Sequence, residues 1–178
     1  MKLLKKLTFW IFIAVFFVSQ STMANPKSLN RTMDITVYPI SLIVGRVPLR
    51  FSFAVADRVA LGINLAGVFF GLGESKVLGV SGGVDAKFYL TGRVYEDGWY
   101  ARPGVFAGYL DIARVNGAHV GLDVAAGYGW VWASGFSLDL GLALDYGHWF
   151  AKHDTAGIKN FGLFGFTPLL DLNLGFAF

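Results

Sequence analysis

From Phe164 to Phe178 the chain changes character at every residue. Phe164, Phe166, Pro168, Leu170, Leu172, Leu174, Phe176 and Phe178 alternate with Gly165, Thr167, Leu169, Asp171, Asn173, Gly175 and Ala177. A period of two places successive side chains on opposite faces of a strand, whereas a helix repeats every ~3.6 residues. The segment is therefore a strand with one large apolar face and one face that is mostly small or polar.

The same rhythm runs back through the sequence. Phe136, Leu138, Leu140, Leu142, Leu144 and Tyr146 oppose Ser137, Asp139, Gly141, Ala143, Asp145 and Gly147. Val120, Leu122, Val124, Ala126, Tyr128, Trp130 and Trp132 oppose His119, Gly121, Asp123, Ala125, Gly127 and Gly129. Gly98 to Asp111 carries Trp99, Val105 and Tyr109 against Arg102, and Val77 to Leu90 sets Leu78, Val80, Val84 and Phe88 against Ser81, Asp85 and Lys87. Val59 to Phe70 and Val47 to Ala56 flank an Asp57-Arg58 turn. Asp34 to Val44, interrupted by Pro39 and followed by Gly45-Arg46, is expected to be the first strand, since a proline is tolerated near an edge. That makes eight antiparallel strands. Asp57-Arg58, Ala133 to Gly135 and Thr91 to Asp97 connect them at one end. Glu74 to Lys76, Ile112 to Gly117 and the longest segment, Ala151 to Asn160, connect them at the other.

Alternation alone does not say which face meets the surroundings. A soluble barrel turns its apolar face inward and needs Lys, Glu, Arg and Thr outside to hold water. Here the weaker face is mainly Gly, Ala, Ser and Asp, too small and too sparsely charged for that task. Such residues suit the interior of an eight-stranded barrel, which side chains fill. The large face is then expected to meet lipid. Trp99, Trp130, Trp132, Phe136 and Phe176 would form an aromatic girdle at one rim, with Phe69, Tyr109, Tyr146, Phe150 and Phe164 at the other. Spanning by strands also requires closure, because lipid leaves no partner for an open backbone edge.

Residues 1–24 read as a cleaved signal peptide of the Sec type. Lys2, Lys5 and Lys6 precede an apolar run from Leu7 to Val18, and Thr22 and Ala24 suit a cleavage site. That run is shorter than the ~20 residues a spanning helix requires. The expected organisation is thus 1–24 signal peptide, 25–33 N-terminal periplasmic segment and 34–178 transmembrane barrel, exported to the outer membrane of a Gram-negative cell. Cleavage also changes the charge. The whole chain has fifteen basic and twelve acidic residues; losing the three signal lysines leaves twelve of each. A neutral mature chain gives no basic footprint for nucleic acid. The absence of cysteine excludes disulfides, thiolate metal sites and a lipidated N-terminal cysteine.

The ending Asp171-Leu-Asn-Leu-Gly-Phe-Ala-Phe178 resembles the C-terminal signal of outer-membrane proteins. The resemblance implies that Leu174, Phe176 and Phe178 are read by the barrel-assembly machinery. The mature chain as a whole resembles the small OmpA/OmpX/OmpW-like barrels, and more closely an outer-membrane family of unknown function. Gly83-Val-Asp-Ala-Lys-Phe-Tyr-Leu90, Asp97-Gly-Trp-Tyr100 and Gly129-Trp-Val-Trp132 carry that likeness. It implies location and fold more than activity, with outer-membrane lipid and lipopolysaccharide as surroundings and a monomeric, porin-like state.

The interior is expected to hold Arg50, Lys87 and Arg102 with Asp85, Asp123, Asp139, Asp145 and Asp171. Unpaired charges there would be costly, so a paired network acting as a plug is the expected arrangement. No catalytic, cofactor or metal residues are assigned. Lipid A deacylases of this shape use a His-x-Ser pair, and the nearest match is His153-Asp154-Thr155. Of the possible metal ligands Asp145, His148, His153 and Asp154, Asp145 and His148 have opposite strand parity. Gly71-Leu-Gly-Glu-Ser-Lys76 reads as a hairpin loop rather than a phosphate-binding loop. The leading expectation is a non-enzymatic barrel with a structural or surface-loop role. The alternatives are a carrier of a small hydrophobic molecule, for which Val68, Phe106 and Leu169 supply inward apolar groups, and a lipid A-modifying enzyme.

Overall fold

The computed structural model describes residues 31–43, 45–72, 75–112, 115–151 and 165–178. They form one closed antiparallel barrel in which each strand pairs with its sequence neighbours and the last with the first. The strands are β1 (Met33–Val37), β2 (Arg46–Ala56), β3 (Val59–Leu72), β4 (Ser75–Tyr89), β5 (Gly98–Ile112), β6 (Val115–Val131), β7 (Phe136–Ala151) and β8 (Gly165–Ala177). The all-β, eight-stranded expectation therefore holds. The signal peptide and most of the N-terminal segment lie outside the described residues.

The alternation becomes the inside and outside of the barrel. Asp34 and Thr36 of β1 are buried while Ile35 and Val37 between them are exposed. On β7, Ser137 and Asp139 are buried, and Leu140, Leu142 and Leu144 are exposed. The exposed aromatic groups collect at two rims. Trp99, Phe176 and Phe178 lie at the end with the Asp57-Arg58 turn, where Trp99 meets Tyr128 edge-on at 5.5 Å. Phe69, Tyr109, Tyr146, Phe150 and Phe166 lie at the other end, where the Tyr146 and Phe166 rings are 5.0 Å apart. Phe164 lies outside the described residues.

Two expectations need correction. The first strand does not run to Val44. It stops at Val37, and Pro39–Ile43 form a single helical turn, α1. Proline suits the first position of a helix, where its missing N–H has no intrahelical partner to lose. The strand that continues the wall is β2, which already begins at Arg46, so Gly45-Arg46 is not a hairpin turn between matched strands. The second correction concerns two connections at the end opposite the Asp57-Arg58 turn. The β3–β4 ladder pairs Gly71 with Lys76 and Leu72 with Ser75, and the β5–β6 ladder extends to Ile112 and Val115. Strand pairing thus takes up most of the residues expected to form loops at Glu74–Lys76 and Ile112–Gly117. The longest connection, Ala151 to Asn160, lies almost wholly outside the described residues.

The end bearing the Asp57-Arg58 turn is stoppered by the Thr91–Asp97 segment. Tyr95 adopts a left-handed backbone, with φ 61°, a conformation that costs a bulky side chain energy. Its environment holds it there. The residue is buried against Ala60, Tyr89 and Ala177, and its ring meets Tyr89 edge-on at 6.4 Å. Burial pushes its phenol well above the ordinary tyrosine range, so the hydroxyl keeps its proton. It lies 3.0 Å from the Ser52 hydroxyl, which itself donates to Asp34; Tyr95 is then the donor to Ser52.

Candidate functional site

The interior is the place where chemistry-bearing residues converge, and it is built from the small-residue face of every strand. Arg50 of β2 is completely buried. It donates to both carboxylate oxygens of Asp85 on β4, Nε–Oδ2 at 2.9 Å and Nη2–Oδ1 at 2.7 Å. Asn64 of β3 donates a third bond to Asp85 at 2.7 Å. Gly62 lies between β2 and β4 and makes room for this pair: a Cβ added there would stand 2.7 Å from Arg50 Nε and from both Asp85 oxygens. Gly62→Ala is accordingly expected to destabilise the barrel by about 1–3 kcal/mol, the usual cost of overpacking. Urea titration of the refolded protein would measure it, and a cost indistinguishable from zero would show that the ion pair shifts freely.

Two further pairs lie along the wall. Lys87 donates to Asp139 at 2.6 Å, and its ammonium stands 4.4 Å from the Tyr100 ring centroid. Arg102 donates to Asp171 at 2.8 Å, and the Tyr100 hydroxyl donates to the other Asp171 oxygen at 2.6 Å. The register explains how a β5 tyrosine reaches a β8 aspartate. Tyr100 pairs with Gly127, Gly127 with Gly141, and Gly141 with Asp171. Two glycines in one row leave no side chain between the phenol and its acceptor. Arg102 also donates to the Tyr38 hydroxyl at 2.9 Å, which ties the segment between β1 and α1 to the far wall.

The structure therefore brings together six of the eight residues expected in the lumen network: Arg50 with Asp85, Lys87 with Asp139, and Arg102 with Asp171. Asp123 and Asp145 face each other across β6 and β7, and neither forms a salt bridge among the described residues. Sequence reasoning missed Asp34, whose carboxylate lies 3.6 Å from Arg50 Nη1. Its alternation with Ile35 was the available signal. It also missed Tyr38, Asn64, Tyr95, Tyr100 and Asn173, which close the network through hydroxyl and amide groups. Beside the pairs lies a cavity of about 110 Å³, lined by Asp85, Arg102 and Asp171 and by Arg46, Asp123 and Asp145.

Comparison with known proteins finds no matching family model, no matching curated protein and no matching solved structure.

Other sequence candidates separate in space. Asp145 points inward, whereas His148 is exposed on the outer face beside Phe150, ring centroids 4.7 Å apart. His119 is half-buried and packs beside Phe106 at 5.9 Å. Among the described residues no group of three or more His, Cys, Asp or Glu side chains could hold a metal ion. His153, Asp154 and Thr155 lie outside them. Gly71 and Leu72 pair with Lys76 and Ser75 as neighbouring strands, and the residues after them continue as strand rather than as the helix that follows a phosphate-binding loop. Leu174, Phe176 and Phe178 lie on the last strand and its end, with both phenylalanines exposed outside.

Proposed function

We propose that this chain is an integral outer-membrane barrel, exported by its N-terminal signal peptide and non-enzymatic, with a structural or surface-loop role. One observation carries the reading. The exterior is a continuous apolar belt, with Leu142 71% and Phe166 73% exposed, while Arg50 is 0% exposed inside. Water-soluble proteins rarely expose an apolar patch beyond a few hundred Å². A barrel that is polar within, apolar outside and aromatic at both rims matches the bilayer instead. The likeness of its ending to the assembly signal supports recognition of Leu174, Phe176 and Phe178 by the barrel-assembly machinery. The surroundings would be outer-membrane lipid and lipopolysaccharide, and closure of the barrel within one chain favours a monomer.

The lumen supports a plug rather than a conduit. Its charges are largely consumed in pairs, and a cavity of about 110 Å³ falls short of the ~300–1,000 Å³ that small-molecule sites occupy. A carrier of hydrophobic molecules would need space beyond this lumen, and a lipid A-modifying enzyme would need a catalytic set that His119 and His148 do not form.

The test is migration on a detergent gel of protein taken from the isolated outer-membrane fraction. A closed membrane barrel is expected to resist detergent until boiled, so boiled and unboiled samples migrate differently. Recovery from the soluble periplasm with no shift would overturn the proposal and make a soluble ligand-binding barrel the leading reading.

A further inference from the structure

A connection, rather than a strand, covers the barrel at the end bearing the Asp57-Arg58 turn. Residues 91–97 leave β4 and return to β5 through a narrow neck. Leu90 N–H donates to the Trp99 carbonyl at 2.8 Å, and Trp99 N–H donates to the Thr91 hydroxyl at 2.9 Å. Gly98 lets the neck close, since a Cβ there would collide with the Thr91 carbonyl. Gly92 takes up the change of direction with φ 74°, a left-handed conformation that costs glycine little.

Beyond the neck the segment is fastened to separate parts of the mouth. Val94 N–H donates to the Asp57 carbonyl at 2.9 Å, in the connection between β2 and β3. Val131 N–H, at the end of β6, donates to the Asp97 carboxylate at 2.6 Å. Tyr95 stands between these two points and is the residue that enters the barrel. It is 3% exposed, whereas Thr91, Gly92, Arg93 and Asp97 around it are exposed. Its hydroxyl donates to Ser52, and Ser52 donates to Asp34, which lies 3.6 Å from Arg50. The one left-handed residue other than glycine among the described residues is therefore also the one joined to the lumen network. Strained backbone of this kind persists only where its surroundings hold it, and it collects at clamps and switches. A segment with few buried contacts opens at lower cost than the strands it joins.

We infer that residues 91–97 are a hinged lid on this end of the lumen, latched by Tyr95, which opens while the barrel stays folded and admits water to Ser52 and Asp34. Opening breaks the bonds made by Val94, Tyr95 and Asp97 and lets Tyr95 leave the left-handed region. It leaves the wall intact, because Tyr89 and Tyr100 remain paired at the foot of the neck. The interior thus has an entry for water that does not require strands to separate.

The chain contains no cysteine, so single engineered thiols report on access. Ala60→Cys lies in the buried cluster that contains Tyr95, and Ala125→Cys lies on β6, where Ala125 is 1% exposed. Each would be treated with a water-soluble maleimide in the folded barrel in detergent, at rising urea. Labelling at 60 is expected to change little at low urea, because lid opening exposes little surface, whereas labelling at 125 should follow unfolding of the whole barrel. The same urea dependence at both sites would mean that the lid moves only with the barrel, and would overturn the inference. Tyr95→Ala removes the ring and the hydroxyl together. It is expected to speed labelling at 60 by about tenfold or more and to leave 125 unchanged. No acceleration at 60, or equal acceleration at both sites, would reject Tyr95 as the latch. Ala177→Cys, from the same cluster, gives the same readout if Ala60→Cys does not fold.

Discussion

Replacing Asp85 by alanine is expected to destabilise the barrel by about 3–5 kcal/mol, the cost of stranding one member of a buried ion pair. Arg50 would lose both of its short bonds, leaving Asp34 at 3.6 Å as its remaining carboxylate. Asn64 would lose its acceptor as well. Asp123→Ala is the internal comparison. It removes the same side chain from the same lumen, but one without a salt bridge among the described residues, and its cost should stay near ~1 kcal/mol, the centre of the usual range for point mutants. Equilibrium unfolding in urea, followed by tryptophan fluorescence in detergent, measures both. Equal costs would mean that the ion pair does not organise the interior. Adding Arg50→Met to Asp85→Ala should recover stability, since removing both charges leaves neither stranded.

Leu142→Arg tests the outside as Asp85→Ala tests the inside. Leu142 sits in the middle of β7 and is 71% exposed. On a water-facing surface a substitution there would change stability by no more than ~0.5 kcal/mol. At the midplane of a bilayer, arginine on the lipid face costs about 2–4 kcal/mol. The expected result is the larger loss on folding into vesicles. A negligible effect would place this face in water, and the proposed location would fall with it.

The strand pattern was legible because one face of each strand is mostly large and the other mostly small, with exceptions such as Tyr100, Phe106 and Leu169 on the small face. Residues 34–44 misled because the rule weakens there. Ile40, Leu42 and Ile43 are apolar without a clear rhythm, and an apolar run of that length reads equally well as strand or as a turn of helix. The lumen residues were legible as a set, since parity assigns each to the inside. Their partners were not. Arg50 and Asp85 are 35 residues apart, Lys87 and Asp139 52, Arg102 and Asp171 69, and parity says nothing about which inward charges meet. That choice depends on the stagger of the strands around the barrel. Tyr100 stayed hidden for a different reason: an aromatic residue near a strand end suggests a rim, and only the glycine row shows that it crosses the interior.

The pairing of β1 with β8 has a kinetic consequence. Every other strand pairing joins neighbours in the chain and is cheap in loop entropy. The closing contact joins segments separated by most of the sequence, through four residue pairs and the bonds of Thr32 and Met33 to Phe178. Long-range pairing of this kind slows folding, because order must be built before the reward arrives. The meander can zip up one hairpin at a time, but until that last contact forms it carries two free edges open to other chains. Closure is thus expected to be the slowest of the pairing steps by which the barrel assembles.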